Sequence, residues 1–265
     1  MPDDPRAALH EIIITAAREE LLPRFAAVTR ARKADGSVLT EADLALQARV
    51  AERLRARWPD TVFLGEEMTP AEQQVVIASQ QPVWCLDPLD GTSNFACGIP
   101  YFCVSLSLLQ GGTVQLGLVY DPLRDECFDA DPVHGARLNG VALHVADPGL
   151  PLAQATALVD FKRLALPLRE RLIKAAPYAS QRSFGSVALD WCWLAAGRGH
   201  LYLHGRSSIW DYAAGQFIFT RAGGAACTLQ GEPVFTQALT PRSSVAAVSA
   251  PLFAAWSDWL GVPAQ

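Results

Sequence analysis

Residues 84–95 read WCLDPLDGTSNF. An apolar run with the look of a buried strand ends in two aspartates, Asp87 and Asp90, which flank Pro88-Leu89 and are followed at once by Gly91-Thr92. Ionised carboxylates resist burial unless something positive compensates them, so the stretch raises the question of which cation sits there. One answer needs no cation: a strand-terminating turn in which Pro88 fixes φ, Gly91 relaxes the backbone, and Thr92 or Ser93 caps a short helix. That accounts for the turn residues but leaves two neighbouring carboxylates without partners. Hard divalent cations take oxygen ligands, and Mg²⁺ in particular is held by a few carboxylates together with waters and substrate phosphates. A Gly-Thr helix start beside them aims backbone N–H groups at an anion, so metal and phosphate would share one corner. The combination points to phosphoryl chemistry.

Working outward, apolar residues recur at helical spacing at Leu9, Ile12, Ile13, Ala16 and Ala17, and again at Leu46, Val50, Ala51 and Leu54. Two amphipathic helices are predicted to open the protein. Between them KADGSVLTEAD (33–43), with Lys33, Asp35, Gly36 and Ser37, lacks apolar periodicity and reads as a polar loop entering the second helix. From Thr61 the period shortens: TVFLG, PVWCLD, CVSLSLL, TVQLGLVYD and ECFDA read as strands, with Gly111-Gly112 joining a hairpin and Asn139-Gly140 marking a turn. Neighbouring strands with short turns predict an antiparallel sheet. Pro and Gly interrupt both periods in VADPGLPLAQ (145–154), the expected seam between an N-terminal α+β part, 1–147, and a C-terminal α/β part, 148–265. In the latter, TALVD, HLYLHG and SVAAVSA alternate with helix-like segments around 166–176, 186–197 and 210–222. The fold class expected is therefore α+β.

Composition excludes several functions. The chain has 265 residues, half of them hydrophobic, enough to bury a sizeable core. A formal charge of -5, and no basic run interleaved with aromatics, argues against nucleic acid as a partner. The start, MPDDPRAALHEIII, has early acids and no long apolar h-region, and no segment approaches the ~18 apolar residues of a membrane span, so the reading is cytoplasmic with no membrane partner. Six cysteines without CxxC spacing or a secretory signal read as reduced, mostly buried thiols. The five histidines show no zinc-ligand spacing. No GxSxG elbow is present, and GGA and GRGH do not make a dinucleotide or Walker loop.

WCLDPLDGTSNF resembles the signature of the magnesium-dependent, lithium-sensitive inositol monophosphatase superfamily, which reads roughly W-x-x-D-P-[IL]-D-G-T-x-N-F. Two further motifs lie in the expected order: Gly65-Glu66-Glu67 upstream, after TVFLG, and WDYAAG (210–215) downstream, followed by RAGG. The resemblance implies a layered α/β sandwich of the sugar-phosphatase type that hydrolyses a small phosphate monoester with Mg²⁺. It implies that Glu66, Asp87 and the Leu89 carbonyl bind one ion, that Asp87, Asp90 and Asp211 hold a second, and that a weaker third lies near Glu66. Such a clamp, with ions ~3.5–4 Å apart, stabilises attacking and leaving oxygens alike. Thr92 resembles the family threonine that orients the nucleophilic water, with Asp43 as its carboxylate partner, and the Gly91 and Thr92 N–H groups would cradle the phosphate. Family members commonly pair, which extends a homodimer as an expectation here.

Bland readings stand beside these. Thr40-Glu41-Ala42-Asp43 fits a capping box, so Asp43 alone could be a helix cap, although a side chain at that position can do both. Asp211 alone could be a first-turn acid satisfying a helix dipole. Glu67 reads as solvated or as supporting the ligands. In inositol-hydrolysing members a glutamate seven residues before the WD aspartate binds ring hydroxyls; here that position is His204, in HLYLHGRSSIWD, with Arg206 two residues on and Lys162-Arg163 after TALVD. His204 and Arg206 are the expected substrate-binding residues, the alternative for all four being solvation on a loop rim. The leading function is a phosphatase of small sugar, polyol or amino-alcohol phosphates. The alternatives are a 3'(2'),5'-bisphosphate nucleotidase and, in another class, a regulatory protein acting through a protein partner.

Overall fold

The computed structural model describes residues 5–25, 27, 31, 32, 38–79 and 81–263; Lys33 and the adjoining Asp35, Gly36 and Ser37 lie outside them. The two predicted stripes fold as α1 (Pro5–Glu20) and α2 (Glu41–Arg57) and are buried. Between them Ala31–Arg32 (β1) pairs antiparallel with Val38–Leu39 (β2). A seven-stranded sheet follows in strict chain order: β3 (Val62–Gly65), β4 (Val83–Asp90), β5 (Cys103–Gln110), β6 (Thr113–Asp121), β7 (Glu126–Asp131), β8 (Gly135–Leu138) and β9 (Val141–Ala142). From β4 onward every pairing is antiparallel, as expected of strands joined by short turns. The exception corrects the sequence reading: β3 runs parallel to β4. A parallel pair needs a crossover, and α3 (Pro70–Ala78) supplies it, started by a Thr69–Glu72 capping box with Pro70 in its first turn.

Alternation along β5 fixes what each face of this sheet meets. Val104, Leu106 and Leu108 join the apolar cluster of α1 and α2, with Trp84 and Leu86 of β4. Cys103, on the opposite face, joins a second cluster that continues through the C-terminal half of the chain. Each fully buried large apolar side chain, such as Phe95 or Phe102, contributes roughly 1.5–3 kcal/mol. Phe95 and Phe102 also meet edge to face at 4.9 Å.

That half contains β10 (Thr156–Asp160), α5 (Leu166–Ala175), β11 (Ser180–Arg182), α6 (Val187–Ala195), β12 (Leu201–Ser207), α7 (Ile209–Arg221), β13 (Ala225–Cys227), β14 (Arg242–Ala247) and α8 (Ala250–Leu260), the short α4 (Thr92–Cys97) having followed β4. Its five strands are ordered β11-β10-β12-β14-β13, with β10 parallel to both β11 and β12 and β14 antiparallel to its neighbours. Helices α6 and α7 fill the space between the two sheets, while α8 packs against β12, β13 and β14. The layers are helix pair, seven-stranded sheet, helix pair, five-stranded sheet, helix. Close approach in the middle layer depends on glycine: a Cβ on Gly117 of β6 would stand 2.8 Å from the Ala214 carbonyl of α7, and one on Gly215 of α7 would stand 2.8 Å from the Ala188 carbonyl of α6. These contacts fix α7, and with it Asp211, against the sheet. All six cysteines are unpaired, five of them buried. No described helix is long and apolar enough to cross a membrane.

Candidate active site

In a regular strand residues three apart face opposite sides, so Asp87 and Asp90 should not meet. The register shows why they do: Asp87 pairs with Ser105 and Asp90 with Cys103, three steps on β4 against two on β5. This one-residue bulge turns Asp90 onto the face that Asp87 already occupies, towards α6 and α7. Pro88 lacks the N–H a regular ladder would use, and the Leu89 N–H instead donates to Asp87 Oδ1 at 2.9 Å. Leu89 itself points into the α1–α2 core and is fully buried. At Gly91, the N-cap of α4, φ is +93°, and a Cβ would also meet the Tyr101 carbonyl at 3.0 Å, so only glycine fits. Gly91 thus takes the cap position expected of Thr92 or Ser93.

Asp90 is held from α6. Its Oδ2 accepts from the Ser186 hydroxyl at 2.7 Å and the Ala188 N–H at 2.6 Å, so the start of α6 grips one carboxylate oxygen. Asp211, in the first turn of α7, accepts the Ser208 N–H at 2.8 Å, which makes the predicted first-turn acid real without removing it from the site. Glu66 follows β3; its backbone N–H donates to the Leu86 carbonyl of β4, and Gln73 of α3 binds the Gly65 and Glu66 carbonyls, both at 3.1 Å. The carboxyl groups of Glu66 and Asp87 are hydrogen-bonded to each other.

Charge crowding is the signature of this arrangement. Burial, then the charges of Glu66, Asp90 and Asp211, pushes Asp87 well above the ordinary carboxylate range. Burial also raises Asp211, with Glu66 and Asp90 adding to it. Asp90 is pushed up to about 6 by burial, against the pull of Ser186 and the α6 N–H groups. Among the described residues no three metal-ligating side chains already close around a common point. The donor set nevertheless suits a hard dication: it is all oxygen, with Asp87 and Asp90 buried and Glu66 and Asp211 half-buried, it is short of positive charge, and two of its carboxyl groups share a hydrogen bond where a cation between them would relieve the repulsion.

Asp43 carries both of its expected roles on different oxygens. Oδ2 closes the capping box, accepting from the Thr40 N–H at 2.8 Å and the Thr40 hydroxyl at 2.6 Å. Oδ1 faces the Thr92 hydroxyl at 3.2 Å, and that hydroxyl also lies 2.9 Å from the Leu89 carbonyl. Burial pushes Asp43 up, partly offset by Thr40.

The leaving-group residues are placed differently from expectation. His204, expected as a substrate-binding residue, is buried on β12, 3% exposed. Its Nε2 lies 3.2 Å from Asp160 Oδ2 and its Nδ1 accepts the Arg206 N–H at 3.3 Å, which assigns the ring proton to Nε2 and leaves neither nitrogen for a ligand. Asp160, pushed up by burial, is brought below the ordinary carboxylate range by His204, the Lys162 N–H and Arg163. Lys162, Arg163 and Arg206 are exposed, as the solvated alternative has it. A cavity of about 740 Å³ lies elsewhere, walled by Thr220, Cys227, Phe235 and Phe253, and contains none of the site carboxylates.

Two contributors escaped sequence reading. Ser186, which precedes an apolar helix, carries an N-cap signal, but nothing local says that the helix start grips an acid 96 positions away. Asp160 ends a strand without any local sign of its partner His204.

Comparison with known proteins bears on the whole arrangement. The chain is 34% identical over 203 residues to the Nus factor SuhB of Pasteurella multocida, covering 75% of this chain and 74% of that one. It is 34% identical over 206 residues to the inositol monophosphatase of Mesembryanthemum crystallinum, covering 72% and 73%. The crystal structure of the extragenic suppressor protein suhB from Bartonella henselae superposes with a TM-score of 0.83 at 26% identity, over 96% of this chain and 97% of that one. A sequence profile of the inositol monophosphatase family matches residues 5–256, and the chain belongs to that family.

Proposed function

We propose that the protein hydrolyses a small phosphate monoester (a sugar, polyol or amino-alcohol phosphate) in a reaction that depends on Mg²⁺. The observation that carries this reading is the β4 bulge, which gathers Asp87 and Asp90 on one face with Asp211 and Glu66, beside the Thr92–Asp43 pair. Glu66, Asp87 and the Leu89 carbonyl would hold one ion, and Asp87, Asp90 and Asp211 a second. Bound there, dications supply positive charge for the oxygens of the displacement and ease deprotonation of water.

The chain's own groups do the rest. An attacking water hydrogen-bonds to Thr92 Oγ while the Thr92 hydroxyl donates to Asp43 Oδ1, so the proton released from water has a route to a carboxylate. Burial raises the proton affinity of Asp43, which suits it to receive that proton. Gly91 and Thr92 present backbone N–H groups to the phosphate. Arg206 lines the leaving-group side, and His204 acts through its hold on Asp160 rather than by contact.

The test is hydrolysis of an aryl phosphate by purified protein: background rate after exhaustive chelation, recovery with Mg²⁺, and loss with Li⁺ or Ca²⁺. Full activity in chelator ends the metal-dependent reading. Rates on inositol 1-phosphate against 3'-phosphoadenosine 5'-phosphate separate the monophosphatase from the bisphosphate nucleotidase. A regulatory role is favoured by one observation, that relatives of equal identity are named Nus factors. Its test is whether a partner still binds the Asp87→Asn protein.

A further inference from the structure

The three parallel strands β11, β10 and β12 run side by side, in a register that pairs Leu158 with Arg182 and Asp160 with His204. Their carboxyl ends therefore open on one edge, the place where α/β sheets take ligands. Each strand delivers cations there: Arg182 from β11, Lys162 and Arg163 beyond β10, and Arg206 from β12. In a chain of net charge -5 this concentration runs against the overall balance. The same edge leads straight into the site, since β11 continues to Ser186, which holds Asp90, and β12 continues to Ser208, whose N–H holds Asp211.

The cations outnumber the one acid among them. Gly205 lets the turn Phe161–Arg163 lie flat on β12, because a Cβ there would stand 2.1 Å from the Arg163 carbonyl oxygen. The Arg163 charge acts on Asp211, opposing the upward push of burial. Asp160, whose Oδ2 faces His204 at 3.2 Å and whose Oδ1 accepts the Lys162 N–H at 2.9 Å, sets one negative charge, also acted on by Arg163, against the four cations. Arg182 folds back on the Ser180 hydroxyl and the Gln181 carbonyl. Arg163 and Arg206 are exposed, and neither makes an ion pair among the described residues.

We propose that Arg163 and Arg206, at the carboxyl ends of β10 and β12, form a second anion subsite, and that the substrate is a phosphate monoester whose leaving group carries its own anion, a carboxylate or a second phosphate. The inference rests on the phosphatase reading and names the substrate class for that site. Guanidinium forks suit either anion, and an exposed rim of one sign raises the local concentration of the opposite one.

The test compares 3-phosphoglycerate with glycerol 3-phosphate, which differ by one carboxylate, in the full chain with Mg²⁺. Wild type is expected to favour the carboxylate compound in kcat/KM by roughly tenfold or more, a preference that shrinks at high ionic strength. Arg163→Gln and Arg206→Gln should each cut that ratio severalfold, and Arg163→Glu should move it towards phosphoethanolamine, whose leaving group is cationic. A wild-type ratio near one overturns the subsite. So does a ratio unchanged in both Gln variants while activity on the two compounds falls together, since the arginines then serve only the reacting phosphate. If neither compound, nor any other monoester, is hydrolysed, the phosphatase reading fails separately. Calorimetric binding of the two compounds then decides the subsite, and equal affinity overturns it.

Discussion

Asp87 and Asp90 on β4 are 2% and 7% exposed, and Asp90 alone is gripped by Ser186 and the first N–H groups of α6. At the carboxyl ends of β10 and β12, a few residues from the same helices, Lys162, Arg163 and Arg206 stand in solvent. The acidic wall is fixed by burial and directed donors, at the cost of like charges held together. The basic wall costs little because water still solvates it, and its long side chains remain free to adapt. The difference separates two tasks: rigid placement for chemistry, and tolerant charge for choosing what is transformed. Changes to the acidic wall should abolish turnover and relieve strain in the metal-free protein; changes to the basic wall should do neither.

The sharpest test is Asp87→Asn. Asp43→Asn, which removes a proton acceptor, should lower kcat/KM on an aryl phosphate by roughly 10² to 10⁴-fold. Asp87→Asn should cost more at saturating Mg²⁺, because Asp87 would serve both ion sites and the charges of Glu66, Asp90 and Asp211 all act on it. Near-normal turnover of Asp87→Asn would dissolve the distinction between the walls.

The same wall should show in stability without metal. Asp87, Asp90 and Asp211 have folded values above their unfolded ones, so between 3.8 and about 6 for Asp90, and higher for the other two, the folded chain binds more protons. Stability of chelated protein should therefore fall as pH rises through that window. Mg²⁺ should flatten the curve, and Asp87→Asn should raise the Tm of chelated protein at pH 7. Melting from pH 4 to 8 in chelator and in Mg²⁺ measures both, and a chelated curve that is flat or rising breaks the account.

Smaller effects sharpen the comparison at its edges. Ser186→Ala leaves Asp90 with one donor fewer, and should cost roughly 1–3 kcal/mol by denaturant unfolding while weakening Mg²⁺ binding. Unchanged Mg²⁺ affinity would mean that the α6 grip is only structural. Asp160→Asn should have the least effect. Asp160 is held below its ordinary value, so its contribution is present above 3.8 and disappears as pH falls through the lower folded value. A small Tm deficit at pH 7 should vanish in strong acid; a deficit that persists there assigns Asp160 a packing role instead.

Local signals carried much of this arrangement. The stripes of α1 and α2, the hairpins from β5 to β7 and the span TALVD of β10 follow from periodicity and turn chemistry. The Thr40–Asp43 box was visible too, since capping depends on residues three apart. What was hidden is what long-range pairing decides. Pro88 announced an irregularity, but only the register against Ser105 and Cys103 shows that it turns Asp90 round. The Thr69–Glu72 box and Pro70 were signals for α3 in plain view, and with them the parallel pairing of β3. His204 read as a substrate-binding residue because its partner Asp160 lies 44 positions away on a strand that becomes its neighbour only in the folded sheet.

The cysteines give the fold a clock. Cys85, Cys103, Cys127, Cys192 and Cys227 are buried, and burial pushes each of their thiols up, whereas Cys97 is exposed at the far end of the helix that Thr92 begins. A thiol-directed reagent at neutral pH should modify one cysteine of the native chain quickly and the other five only as the structure opens. Cys227, on an edge strand, and Cys103, beside Asp90, report on different parts of the molecule. The order in which their labels appear would show whether the two sheets come apart in steps or all at once.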